Sequence, residues 1–218
     1  MTNWQSIIIA IPVLLFSLTF HEAAHAWMAD RRGDDTARLA GRLTLNPIPH
    51  IDLIGTILLP IILILVGSPF IFGAAKPVPV DLRNLRNPKK DHLAIALIGP
   101  ASNLTLAIFF TLALQVAYLF GLDPFLQSNG VTAQGIVLMF LHYGILVNLI
   151  LGGFNLLPIP PLDGSTLLMT FLPPKAVYWV ARLAPFGFFI IIGLFWLGLL
   201  APYFQLFNWL YSMLVIPF

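Results

Sequence analysis

Cysteine is absent from the 218 residues, which excludes disulfides, thiolate nucleophiles and Cys-ligated zinc or iron–sulfur centres. Any metal must be held by His, Asp or Glu. Charge is nearly as scarce: 9% of residues are charged and 59% hydrophobic, against about 25% and about 45–50% in soluble domains. A soluble chain of this length leaves roughly 30% of its surface in water, and eleven Lys/Arg with nine Asp/Glu cannot cover it. The bilayer is therefore the expected solvent. Net charge is only +2, and nine of the eleven basic residues fall between Arg31 and Lys90. Such a cluster reads as a membrane-topology signal and an attraction to anionic lipid, so no nucleic-acid partner is expected.

Long apolar runs extend over Trp4–Ala29, His92–Phe120, Ala133–Leu157, Ala176–Leu199 and Tyr203–Phe218; a spanning helix needs about 20 residues. No Lys or Arg precedes the first run and it exceeds a leader's usual apolar length, so no cleavable leader is expected. A sixth run, Ile54–Phe72, is broken by Pro60, Gly67, Ser68 and Pro69. The polar loops on its two sides, Asp30–Leu53 and Gly73–Asp91, hold the clustered basic residues, so both should face the cytoplasm. Two same-side loops cannot flank one full span, which predicts a re-entrant Ile54–Phe72. Irregular backbone at that depth is allowed only when buried in protein or lining water. No polar stretch is long enough for an appended soluble domain.

Glu22 is the one glutamate of the chain, and it stands between His21 and His25 inside the first apolar run. Ionisable groups in hydrocarbon are expensive unless paired or functional. On a helix, residues four apart share a face, so the two imidazoles can bind one ion with Glu22 on the flank. This HExxH pattern is that of zinc peptidases, with the glutamate as general base. Arg31 follows His25 by six residues, about 9 Å along a helix, which places the site in the cytoplasmic third of the membrane.

A catalytic zinc takes three protein ligands and keeps an open position. His50, Asp52, Asp81, Asp91, His92 and Asp123 lie in loops or at segment ends, where capping or solvation suffices. His142 lies within an apolar run and suits a hydrogen bond inside a helix bundle. Asp163 follows a stretch broken by Pro158, Pro160 and Pro161 and precedes Gly164; proline-broken backbone at the end of a span must line protein or water. The runs holding His25 and Asp163 cross in the same direction and end on the same side. Spacing alone leaves Asp163 balanced between a ligand and a turn acid.

Taken together, His21-Glu22-Ala-Ala-His25, Asn46-Pro47-Ile-Pro-His50-Ile-Asp52, Ala75-Lys76-Pro77-Val78-Pro79-Val80, Gly99-Pro100-Ala-Ser-Asn103 and Asn155 through Gly164 resemble the site-2 protease family of intramembrane zinc metalloproteases. The motifs occur in family order over residues 21–164. Ala74 and Leu53 stand where relatives often carry Trp and Pro, departures that bear on substrate contacts. The resemblance implies that His21, His25 and Asp163 bind one zinc per chain, that Glu22 is the catalytic base, and that Asn155 stands near the site. It is to a minimal membrane core without PDZ or CBS domains.

The expected fold is an all-α polytopic membrane protein of five to six transmembrane helices, with a re-entrant segment and a short β element near the active site. It forms one membrane-embedded domain over residues 1–218, with a core at 4–164 and additional helices at 176–218. The expected reaction is hydrolysis of peptide bonds within or near transmembrane segments of membrane-protein substrates, in a prokaryotic cell membrane with the site towards the cytoplasm. A helical substrate must unwind before attack, since its carbonyls are paired; Gly41–Leu45 is the candidate edge strand that would pair with it. Asn103 and Asn155, amides in apolar surroundings, need partners. Helix-to-helix bonding suits Asn103, substrate contact or support of the metal ligands suits Asn155, and both are candidate site residues. A metal-ion transporter or channel using the same His/Asp cluster is the alternative, but it would need a polar trail across the membrane.

Overall fold

The computed structural model describes residues 3–65, 73–122 and 132–216, and within them all regular structure is helical. The helices are α1 (Asn3–Arg32), α2 (Thr36–Leu39), α3 (Leu59–Leu65), α4 (Pro88–Leu119), α5 (Ala133–Asn155), α6 (Asp163–Phe171), α7 (Pro174–Arg182), α8 (Gly187–Trp196) and α9 (Ala201–Leu214). Short 3₁₀ turns at Ile48–His50 and Ala184–Phe186 and a π-turn at Leu53–Leu58 join them.

Among the described residues four stretches are long and apolar enough to cross a bilayer: Ile7–Arg32, Pro88–Leu119, Ala133–Asn155 and Pro174–Trp196. The last is interrupted between α7 and α8, where Pro185 lacks the amide a continuous helix needs. The expected span at Tyr203–Phe218 is represented by α9, whose 14 residues rise only about 21 Å against a hydrocarbon core of about 30 Å. Among the described residues four helices thus qualify as spans by length and composition, against the five to six expected from apolar runs over the whole chain. Gly41–Leu45, expected as a strand, consists of turns and bends, and no strand occurs among the described residues. An edge strand needs a neighbour to pair with; here Arg42 N–H turns back to Ala37 O (2.8 Å) and Thr44 O accepts from His50 Nε2 (3.0 Å). Val66–Phe72, the second part of the expected re-entrant run, and Asp123 lie outside the described residues.

The chain divides into two compact units, residues 18–99 and residues 1–17 with 100–218. In the first, Ala29, Leu85 and Ile95 form a small apolar core with Met28 and Val80 packed on it. The loop after α1 is locked by Asp34, which has no solvent exposure. Its carboxylate accepts from Thr36 N–H (3.1 Å), Thr36 Oγ1 (2.5 Å), Asn84 Nδ2 (3.1 Å) and Asp81 N–H (2.7 Å). Burial alone would raise its pKa, but these bonds outweigh it and hold the carboxyl below its ordinary value. Asp91, also buried, ties the start of α4 by accepting from Asn87 N–H (2.7 Å) and Arg32 Nη1 (3.2 Å). Residues 50–56 and 74–76 are bonded to each other: Ala74 N–H donates to Gly55 O (3.0 Å), Thr56 Oγ1 to Ala74 O (2.7 Å) and Lys76 N–H to His50 O (2.8 Å).

In the second unit a polar node joins α1, α4 and α5. Asn103 Nδ2 donates to Asn148 Oδ1 (2.9 Å), and Asn148 Nδ2 donates to Ser17 Oγ (2.9 Å) and Gly144 O (2.8 Å). Asn103 and Asn148 are fully buried; in an apolar interior each amide needs such partners. α9 is fastened at both ends, by Tyr203 OH donating to Gly153 O (2.5 Å) and by Gln115 Nε2 donating to Leu214 O (3.1 Å) and Ile216 O (3.0 Å).

Candidate active site

α1 carries His21, Glu22 and His25, and the helical repeat brings the two imidazoles onto one face. Both are buried, at 4% and 8% exposure. His25 Nδ1–H donates to Ile95 O in α4 (2.7 Å). This fixes the tautomer, so that Nε2 carries the lone pair through which an imidazole ligates a metal. His25 Nε2 stands 3.0 Å from His21 Nε2. Two Zn–N bonds of about 2.05 Å at a tetrahedral angle hold their nitrogens about 3.3 Å apart, so the pair fits zinc to within a few tenths of an ångström.

Space for the rings comes from Gly99 of α4. A methyl at that position would stand 2.4 Å from His25 Nε2 and 2.6 Å from His21 Cε1, so only glycine lets the helix pass so close to both imidazoles. Glu22, half-buried, accepts from Val78 N–H through Oε2 (3.1 Å). Val78 sits between Pro77 and Pro79, which have no amide, so its N–H is the donor that this extended stretch can offer.

Asp163 is the first residue of α6, with Leu162 as N-cap. Three prolines between Asn155 and Asp163 prevent α5 from continuing, and short turns take its place: Ile159 N–H donates to Leu157 O (2.8 Å) and Leu162 N–H to Ile159 O (2.9 Å). α6 then folds back onto the end of α5, and Gly164 permits the approach. A methyl there would lie 2.2 Å from Leu156 O and 2.4 Å from Leu157 O. The Asp-Gly pair thus sets a carboxylate at a helix N-terminus, where the dipole favours negative charge.

His21, His25 and Asp163 make up a His-His-Asp group that could hold a metal ion. Five of the other candidate ligands, His50, Asp52, Asp81, Asp91 and His142, are engaged elsewhere. His50 Nε2 donates to Thr44 O (3.0 Å), and Asp52 caps its own turn by accepting from Gly55 N–H (2.7 Å) and Ile54 N–H (3.1 Å). Asp81 pairs with Arg83, which holds its pKa down at about 2. Asp91 caps α4, and His142 lies between Tyr118 OH (3.1 Å) and Tyr211 OH (2.8 Å).

Residues 9–194 match Peptidase family M50. The chain belongs to this family. It is 41% identical over 184 residues to YwhC of Bacillus subtilis (strain 168), a zinc metalloprotease by name, covering 84% of this chain and 77% of that one. Two proteins named Rip2, zinc metalloproteases by the same naming, are also similar. That of Mycolicibacterium smegmatis is 33% identical over 211 residues, covering 94% of this chain and 73% of its own. That of Mycobacterium tuberculosis (strain H37Rv) is 31% identical over 204 residues, covering 91% and 71%. No solved structure matches the chain. This M50 member is a zinc metalloprotease with membrane-spanning helices, and family membership favours peptide hydrolysis over metal-ion transport.

The remaining predicted residues of this M50 chain fall in different settings. Asn103 lies in the polar node joining helices. Asn155 ends α5 with its Nδ2 bonded back to Leu151 O (3.0 Å), which leaves its Oδ1 for another donor. Sequence reasoning did not single out Ile95, Gly99 or Val78. Two signals were legible, the Gly-Pro-Ala-Ser-Asn and Pro-Val-Pro stretches, but no periodicity says which backbone atom a distant side chain meets.

Proposed function

We propose that His21, His25 and Asp163 hold the zinc ion, one per chain, and that Glu22 is the general base for hydrolysis of peptide bonds within or near substrate transmembrane segments. The observation that carries this reading is the convergence of two buried imidazole Nε2 atoms, one with its tautomer set by Ile95 O, beside a carboxylate held on a backbone amide. Zinc at this group supplies Lewis acidity to water and to the scissile carbonyl. Glu22 takes the proton of the attacking water and passes it to the leaving amine; its bond to Val78 N–H aims one oxygen and leaves the other for that transfer. No covalent intermediate is required. Asn155, through its Oδ1, is assigned to substrate or to support of the metal ligands.

The membrane arrangement we infer places this site towards the cytoplasm of a prokaryotic cell membrane, because the basic loops follow α1 and precede α4. The run after residue 54 is read as re-entrant, supported by the backbone bonds between Gly55 and Ala74 and between His50 and Lys76 where it begins and returns. Substrate supplies the strand partner of Gly41–Leu45, so unwound or helix-weakened segments are preferred. The test is zinc per chain in detergent-purified protein, with peptide cleavage. Wild type holds about one zinc, Asp163→Ala loses most of it, and Glu22→Gln keeps zinc but does not cleave. An Asp163→Ala protein that binds zinc normally overturns the ligand set.

A further inference from the structure

Among the described residues, one buried cation of the unit 18–99, Arg42, has no counter-charge beside it. Arg42 is 5% exposed, and among the described residues no carboxylate lies within ion-pair distance of it. An isolated guanidinium in the interior is costly, so its one bond is informative. Arg42 Nη2 donates to the carbonyl of Lys76. The N–H of Lys76 donates to His50 O (2.8 Å), and both backbone groups of that residue are thereby held.

Lys76 opens the Lys76-Pro77-Val78-Pro79 stretch. With its carbonyl fixed and the φ of Pro77 locked near −65° by the ring, the ψ of Pro77 is the one soft dihedral before the Val78 amide. That amide donates to Glu22 Oε2 (3.1 Å). A guanidinium bond at residue 76 therefore sets the direction of the N–H at residue 78.

We propose that Arg42 is a positioning residue for Glu22, acting through the Lys76 carbonyl and the Val78 amide. The inference rests on Glu22 being the general base. Its effect is on the chemical step, since the Arg42 side chain touches backbone and none of the proposed zinc ligands.

The experiment is steady-state cleavage of a fluorescein-labelled transmembrane peptide that the wild type cleaves, using full-length protein in detergent, with zinc measured per chain. Arg42→Ala lowers kcat about tenfold to a hundredfold, the range for one hydrogen bond to a charged group, with KM within about twofold and zinc near one. Arg42→Lys recovers most of the rate, because an ammonium can donate to the same carbonyl. Val78→Pro deletes the amide and brings a similar loss, and the Arg42→Ala/Val78→Pro double variant is no slower than Val78→Pro alone. Losses that multiply in the double variant, or wild-type kcat in zinc-loaded Arg42→Ala, overturn the proposal. If Arg42→Ala does not fold, Arg42→Lys and Arg42→Met provide the same comparison, Met, which has no N–H to donate, being slow and Lys fast. Wild-type cleavage by Glu22→Gln instead refutes the assignment of the base, which separates that failure from a failure of the Arg42 inference.

Discussion

Replacing Gly99 by alanine tests the tightest contact around the imidazoles. The added methyl would stand 2.4 Å from His25 Nε2 and 2.6 Å from His21 Cε1, where ordinary contact begins near 3.4 Å; the first ring atom must therefore retreat by about 1.0 Å, the difference of 3.4 and 2.4. His25 cannot swing freely, because its Nδ1 is held by Ile95 O at 2.7 Å. Metal ligands tolerate displacements of about 0.2 Å, so the required shift exceeds that tolerance roughly fivefold. Even the loss of groups that only orient ligands weakens metal sites about 10-fold to 100-fold, and displacing a ligand atom should weaken zinc binding at least about a hundredfold. Fold stability should change far less: overpacking costs about 1–3 kcal/mol, offset by about 1 kcal/mol of helix propensity gained on replacing glycine in α4. Zinc per chain by atomic absorption, competition with a chelator and thermal unfolding of the metal-free protein together read these quantities. A Gly99→Ala protein with wild-type zinc affinity and cleavage would refute the reasoning.

Other changes follow from the same geometry. Asp34→Ala leaves Asp81 N–H, Thr36 N–H and Asn84 Nδ2 without their acceptor, and a loss of about 3 kcal/mol or more is expected in denaturant unfolding; a change below about 0.5 kcal/mol contradicts the bonding described. Asp34 and Asp81 both have pKa values lowered in the folded chain, Asp81 to about 2. Their contribution is therefore intact above the unfolded value near 4 and is lost as pH falls through the folded values, so thermal stability should hold from neutral pH to about 4 and decline below. Asn148→Ala removes the centre of the polar node and should destabilise by about 1–2 kcal/mol with zinc content intact; loss of zinc without loss of stability points to a different role. Thr44→Pro removes a backbone donor from Gly41–Leu45 and should abolish cleavage while zinc stays bound; unchanged cleavage rejects substrate pairing at that stretch.

Much of this protein is legible in its residues. Scarce charge and long apolar runs require a membrane, because so few polar side chains cannot solvate the surface. A single glutamate between two histidines at helical spacing identifies the chemistry, because periodicity alone places both imidazoles on one face. The proline break before Asp163 marks the end of α5, because proline cannot continue the helix. Helix ends were less legible, since composition does not record where a helix stops: α9 ends after 14 residues, and Pro174–Trp196 is interrupted. Only the tertiary structure decides that His25 is oriented by Ile95 O, that Gly99 makes room for both rings and that Val78 N–H meets Glu22. It also decides that Arg42 reaches the Lys76 carbonyl and that Asn103 serves a helix junction. These contacts join residues 34 to 78 positions apart. Sequence specifies such partners through the packing of whole helices and the path of the loops, and neither is written in local spacing.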